Sequence, residues 1–100
     1  MKDALIYDAL RSPRGRAKEG ASLNSLTPQA LLKQLYAALV SRTGLAPGEV
    51  ADVILGCVTQ AGEQAGNIAK NSTLYAGWPG SVPGLTVNRY CSSGIDAMAL

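Results

Sequence analysis

The chain has 100 residues, of which 47% are hydrophobic and 16% charged, and its formal net charge is +2. This composition is typical of a globular protein and excludes a disordered chain. The small net charge gives no argument for binding nucleic acid or an anionic membrane. No apolar run approaches the roughly 20 residues that span a bilayer. Residues 1–13 lack the apolar stretch of a secretory signal, so we expect a cytoplasmic protein.

Metal binding is not expected from the residue types present. The chain has two cysteines, Cys57 and Cys91, which are far apart in sequence, and it has no histidine. A structural zinc site needs about four Cys or His ligands. We therefore predict that the protein holds no metal.

The first half of the chain predicts one strand and one helix. Ala4–Leu10 (ALIYDAL) is short and apolar, as in a parallel-sheet strand covered on both faces. Residues 11–20 form a loop rich in Pro and Gly. Thr27 and Pro28 are typical of the cap and first position of a helix, and Gly44 is typical of the residue that ends one.

The second half alternates strands and helices. Strands are predicted at Val50–Val58 and Leu85–Val87, where apolar residues run together. A helix capped by Asn67 is predicted between them, and a third helix begins near Ser92 or Ser93. The order β-α-β-α-β-α predicts an α/β fold whose parallel strands are joined by right-handed crossovers.

The third helix still carries apolar residues where the chain stops. These residues are Ile95, Met98, Ala99 and Leu100. Neither a terminal glycine nor a basic last turn follows them, although both are common at helix ends. We therefore expect residues 1–100 to be the front of a longer protein.

Cys91 is the candidate catalytic residue. It lies between the third strand and the third helix, where a helix N-terminus favours the thiolate form of cysteine. The backbone N–H groups of Cys91, Ser92, Ser93 and Gly94 are candidate donors to an oxyanion. A small buried core residue is the alternative interpretation. Because a thiol nucleophile usually needs a base, and the chain has no histidine, that base would lie outside these residues.

Other candidate residues have simpler interpretations. Cys57 lies within an apolar strand and is predicted to belong to the core. Four cations of the first loop could meet a phosphate, but their spacing is not that of a P-loop, and a solvated loop is favoured. These cations are Arg11, Arg14, Arg16 and Lys18. Residues 59–66 (TQAGEQAG) form either a surface connection or a loop against an active site or a subunit interface.

The whole chain resembles the N-terminal part of a thiolase. The resemblance includes RSPRGRAKEGAS, SLTPQALL, VADVILGCVTQ and AGEQAGNIAK. Its most specific part is VNRYCSSGIDAMAL, in which an Asn lies three residues before the cysteine and Ser-Ser-Gly opens a helix. The related ketoacyl synthases share the fold and the cysteine but lack the GEQAGN-type loop.

The resemblance implies a thiolase-like portion of a layered α/β domain with a mostly parallel mixed sheet, and residues 1–100 as part of its N-terminal domain. It implies that Cys91 carries the acyl group in a ping-pong thiolysis of 3-oxoacyl-CoA, or in the reverse Claisen condensation. Acyl-CoA and CoA are then substrates, and no further cofactor is expected. The family's activating histidine, its asparagine–histidine oxyanion pair and its second cysteine come later than Leu100.

The resemblance also implies a homodimer or homotetramer, with residues 59–67 and 85–89 near the interface. Three alternatives to a thiolase stay open. The protein could be a non-catalytic thiolase-like protein that binds acyl-CoA or a partner, a ketoacyl synthase, or an independent α/β domain. Acyl chain length and metabolic direction stay open as well.

Overall fold

The computed structural model describes residues 2–100, which form an α/β structure. In chain order, its helices and strands are α1 (Pro28–Thr43), β1 (Val53–Gly56), α2 (Ile68–Tyr75), β2 (Gly84–Val87) and α3 (Ser93–Ala99). Short 3₁₀ turns lie at Pro47–Glu49 and Gly62–Gln64. The predicted α/β class and the last five of the six predicted elements are confirmed. The strand β1 is shorter than predicted, and β2 begins one residue earlier.

The two strands form a parallel pair in the part of the chain that the structure describes. Val53 lies opposite Gly84, and the register continues to Gly56 opposite Val87. Both α2 and α3 pack on this pair. The parallel pairing agrees with the sequence prediction, since parallel strands need a crossover such as α2 between them.

The prediction of a first strand at Ala4–Leu10 is wrong. The segment has no regular secondary structure, and Leu5, Ile6 and Tyr7 are 74%, 77% and 88% exposed. A strand is stable only when its backbone N–H and C=O groups pair with a neighbour, and residues 4–10 pair with neither β1 nor β2. The segment is instead held by the ion pair between Asp8 and Arg42 in the last turn of α1, at 2.9 Å.

Local capping fixes both ends of α1 and the start of α2 as predicted. The Thr27 hydroxyl accepts a hydrogen bond from the backbone N–H of Ala30, and Gly44 ends α1 in the left-handed conformation with φ 70°. The Asn67 side chain accepts a hydrogen bond from the N–H of Lys70. Such caps are local, because each satisfies backbone groups only a few residues away.

Asn67 also connects α2 to β2. Its amide nitrogen donates to the carbonyl of Gly84 at 2.7 Å, and its oxygen accepts from the Thr86 hydroxyl at 2.7 Å. A Cβ built at Gly84 would lie 2.5 Å from the backbone nitrogen of Lys70. The absence of a side chain at Gly84 therefore lets α2 approach the strand closely enough for these hydrogen bonds.

A buried polar pair lies between α1 and α2. The Tyr36 hydroxyl and the Ser72 hydroxyl are 2.8 Å apart, and the Tyr36 ring packs on Trp78 with ring centroids 5.0 Å apart. Tyr36 is 6% exposed and Ser72 is fully buried. The hydrogen bond satisfies the phenol, which would otherwise be costly to bury.

We expect the protein to lose stability above about pH 10, and Tyr36 to contribute to that loss. Burial raises the pKa of its hydroxyl above the ordinary 10.0, although the Ser72 hydrogen bond acts in the opposite direction. The folded state therefore holds this proton more tightly, and its contribution is lost as pH rises through the folded pKa. Urea unfolding midpoints at increasing pH should fall less steeply in Tyr36→Phe; equal slopes would contradict the prediction.

Candidate active site

The candidate site is the turn that joins β2 to α3. Its residues run from Asn88 to Ser92, and Cys91 lies within it with an exposed side chain. The alternative prediction for Cys91, a small buried core residue, does not apply in this structure. Cys57 behaves in the opposite way, since it is 7% exposed and its Sγ lies 3.7 Å from Oε1 of Gln64. Cys57 is thus a core residue, as predicted.

The residue before Cys91 has an uncommon backbone conformation. Tyr90 has φ 47°, and it is the one non-glycine residue with positive φ among residues 2–100. For a residue with a Cβ, this region costs about 1–2 kcal/mol. Tyr90 is neither Asn, Asp nor Gly, which adopt this conformation more readily. Surrounding interactions must therefore hold the turn in this shape.

Three hydrogen bonds hold Tyr90. Its backbone N–H donates to Oδ1 of Asn88 at 2.9 Å. Its carbonyl accepts from the hydroxyl of Ser93 at 2.6 Å and from the backbone N–H of Ser93 at 3.1 Å. The turn is thus closed from both sides by side chains within three residues of Tyr90.

The turn is also tied to β1 and to α3. The Asn88 amide donates to the carbonyl of Val58 at 3.3 Å, just beyond the end of β1. Arg89 forms an ion pair with Asp96 on α3. The flanking elements therefore fix the position of Cys91 as well as its backbone shape.

Gly56 lets α3 lie directly on β1. A Cβ at this position would be 2.4 Å from the carbonyl carbon of Ser93 and 2.6 Å from the nitrogen of Gly94. Real Cβ atoms essentially never come closer than 3.0 Å to such atoms. The start of α3, which follows Cys91 by two residues, therefore depends on glycine in the neighbouring strand.

Two of the four predicted oxyanion donors are already used within the turn. The N–H of Ser92 donates to the Arg89 carbonyl at 3.0 Å, and that of Ser93 donates to the Tyr90 carbonyl at 3.1 Å. That part of the prediction is wrong, because these two N–H groups already donate within the turn and are not available to an oxyanion. Within residues 2–100, the N–H groups of Cys91 and Gly94 make no such hydrogen bond.

Sequence reasoning found Cys91 but missed the residues that hold it. The side chains of Asn88 and Ser93 and the glycine at 56 were not predicted to have this role. The available signals were weak: Asn favours turns, and an isolated glycine in a strand indicates close approach of another backbone. Neither signal identifies the partner atoms, which come from elsewhere in the fold.

The remaining predicted features lie outside this turn. The cations of the first loop have exposed side chains, as the solvated-loop interpretation predicts; they are Arg11, Arg14, Arg16 and Lys18. No group of three His, Cys, Asp or Glu side chains within residues 2–100 could hold a metal ion. In the same residues, no helix is both long and apolar enough to cross a bilayer.

An exposed cysteine on a fixed strand–turn–helix junction is an arrangement suited to nucleophilic catalysis. The family model for the N-terminal domain of thiolases matches residues 4–100. The chain belongs to the thiolase family.

Similar proteins agree with this assignment. The chain is 42% identical over 98 residues to a 3-ketoacyl-CoA thiolase of Shewanella frigidimarina, and 42% identical over 99 residues to one of Bacillus subtilis. These matches cover 98% and 99% of this chain and 25% of each relative. The chain therefore spans about a quarter of the length of these relatives.

A solved structure is similar as well. The acetyl-CoA acetyltransferase of Bacillus anthracis superposes with a TM-score of 0.69 at 40% sequence identity. The match covers 77% of this chain and 19% of that one. The thiolase-like fold predicted from the resemblance is thereby confirmed for the matched part.

Proposed function

We propose that the protein is a thiolase, an acetyl-CoA C-acyltransferase, in which Cys91 carries the acyl group. The observation that carries this proposal is the exposed thiol of Cys91 on a turn whose backbone is fixed by hydrogen bonds. Family membership and relatives named 3-ketoacyl-CoA thiolase support the reaction class. Residues 1–100 are then the part of the N-terminal domain that bears the nucleophile.

In the proposed reaction, the Cys91 thiolate attacks the 3-carbonyl of a 3-oxoacyl-CoA. The bond between C2 and C3 breaks, and its electron pair takes up a proton at C2, so that acetyl-CoA leaves. The shortened acyl group remains on Cys91 as a thioester. Free CoA then attacks this thioester, and the Cys91 thiolate is restored. The reverse sequence of steps is a Claisen condensation.

The proton transfers require groups that residues 1–100 do not supply. The chain has no histidine, and a thiol nucleophile is usually activated by a neighbouring base. We propose that the base and the groups that complete the oxyanion site come from outside these residues. The backbone N–H of Cys91 is the donor that the turn itself offers, since Gly94 lies in α3 with its nitrogen packed against Gly56 of β1.

Acyl transfer to Cys91 can be tested by trapping the intermediate. The whole protein is incubated with a 3-oxoacyl-CoA without free CoA, and its peptides are then mapped by mass spectrometry. We expect one acyl group on the peptide that contains Cys91. Cys57 is an internal control, because its thiol is buried and should stay unmodified. An acyl group elsewhere, or none, would refute the proposal.

The same experiment separates the two other function classes. A non-catalytic thiolase-like protein would bind acyl-CoA without forming the adduct. This class is considered because residues 1–100 contain no histidine that could activate Cys91. A ketoacyl synthase forms its C–C bond with loss of CO2, so it would take up an acyl group from a saturated acyl-CoA but would not cleave a 3-oxoacyl-CoA to form the adduct. Comparing these two substrates therefore distinguishes a synthase from a thiolase.

Assembly and location follow from the proposed family role. We propose a cytoplasmic homodimer or homotetramer with acyl-CoA and CoA as its small-molecule partners and no further cofactor. Residues 59–67 and 85–89 are expected near the interface, and Leu85 is 43% exposed in the single chain. Loss of hydrogen-exchange protection in both segments on dissociation would support this placement; no change would argue against it.

A further inference from the structure

We propose that Ser93 is a positioning residue for Cys91. Its hydroxyl holds Tyr90 in the left-handed conformation and thereby fixes the direction of the cysteine side chain. This inference rests on the proposed function of Cys91 as the nucleophile. Ser93 itself is not proposed to touch the substrate, since its side chain is directed into the turn.

The Ser93 hydroxyl connects the two residues before Cys91. It accepts a hydrogen bond from the backbone N–H of Arg89 at 2.9 Å and donates one to the carbonyl of Tyr90 at 2.6 Å. Ser93 is 4% exposed, so water cannot readily replace either bond. One hydroxyl therefore satisfies a donor and an acceptor on adjacent residues, which no hydrocarbon side chain could do.

Removal of this hydroxyl would leave Tyr90 with one hydrogen bond to a side chain, that of Asn88. Asn88 would still accept from the Tyr90 N–H, but the Arg89 N–H would lose its only acceptor in the described chain. The backbone could then recover hydrogen bonds by leaving the strained conformation at Tyr90. Any such change rotates the peptide that carries Cys91.

The chemical consequence is a loss of near-attack geometry. A displacement of about 1 Å in a reacting group can cost on the order of 10²-fold in rate. Ser93 is 4% exposed and offers almost no surface to acyl-CoA, so acyl-CoA binding should change little. The effect should therefore appear in kcat and in the acylation rate more than in KM.

The test compares Ser93→Ala with Ser72→Ala in the whole protein. Each change removes a buried serine hydroxyl that makes two hydrogen bonds, but Ser72 bonds to Tyr36 and to Ala69 in α2. Both variants should lose stability. Only Ser93→Ala should slow Cys91 acylation, by about ten- to a hundredfold, and Ser93→Thr should recover most of the rate.

A second variant checks the route through Tyr90. Asn adopts positive φ more readily than Tyr, so Tyr90→Asn should make the turn less dependent on the hydrogen bonds of the Ser93 hydroxyl. We expect Ser93→Ala to slow acylation less in the Tyr90→Asn protein than in the wild type. This background also keeps the test usable if Ser93→Ala alone does not fold, because its backbone strain is lower; Ser93→Ala/Tyr90→Asn is then compared with Tyr90→Asn.

The outcomes separate this inference from the proposed function. If wild-type Cys91 is never acylated, the function is refuted. If wild-type Cys91 is acylated and Ser93→Ala matches it, or if Ser72→Ala slows acylation as much, the positioning role is refuted and the function stands. If Ser93→Ala slows acylation equally in the Tyr90→Asn background, the proposal that Ser93 acts by holding the Tyr90 backbone is refuted as well.

Discussion

Cys91→Ala is expected to lower thiolysis of a 3-oxoacyl-CoA by at least about 10³-fold, because it removes the atom that bonds to the acyl group. The Cys91 side chain is exposed, so its truncation leaves no cavity, and stability should stay within about 0.5 kcal/mol of wild type. Initial rates and thermal unfolding of the whole protein measure the two effects.

Cys57→Ala is the matched control for this prediction. It removes the other thiol of the chain, but from a buried position, so it should lower stability while preserving turnover per folded molecule. Retention of thiolysis by Cys91→Ala would contradict the assignment. Loss of activity in both variants, with both still folded, would contradict it as well, since a specific role for Cys91 predicts opposite outcomes.

Gly56→Ala is expected to weaken both stability and acylation of Cys91. The new Cβ would lie 2.4 Å from the carbonyl carbon of Ser93, whereas ordinary contacts begin at 3.4 Å. The start of α3 must therefore move by roughly 1 Å, with a cost of about 1–3 kcal/mol that is typical of overpacking. Because α3 carries Ser93, the same movement should slow acylation about tenfold or more.

Two other glycines give controls for the Gly56 prediction. Gly80→Ala should be near neutral, since a Cβ there meets no atom within 4 Å. Gly84→Ala creates a clash of similar severity, 2.5 Å, but with Lys70 in α2; it should lower stability with a smaller effect on acylation. Melting temperatures and acylation rates are compared across the three variants. Gly56→Ala that behaves like Gly80→Ala would contradict the packing argument.

Local chemistry made part of the fold predictable. Thr27, Gly44 and Asn67 each cap a helix by acting on backbone groups within about four residues, so their capping roles follow from the sequence alone. The same holds for the start of α3 near Ser93. The proposed nucleophile was likewise found from its position between a strand and a helix.

Non-local pairing explains what the sequence did not predict. Ala4–Leu10 has the composition of a strand, but strand formation depends on a partner that lies elsewhere. The positive φ of Tyr90 depends on Asn88 and Ser93, and the position of α3 depends on Gly56 in β1. These features need three-dimensional contacts, so composition and spacing gave no means of predicting them.

The parallel pair of β1 and β2 has two open sides. Each strand is hydrogen-bonded to the other along one side only. On the outer side of β2 the Gly84 carbonyl accepts from the Asn67 amide, and the remaining outer N–H and C=O groups offer a template to an extended chain. Two strands alone are marginally stable, so each strand added beside the pair would stabilise it. Residues 2–100 thus present a seed for sheet growth, and a strand joining next to β2 would be placed beside the turn that carries Cys91.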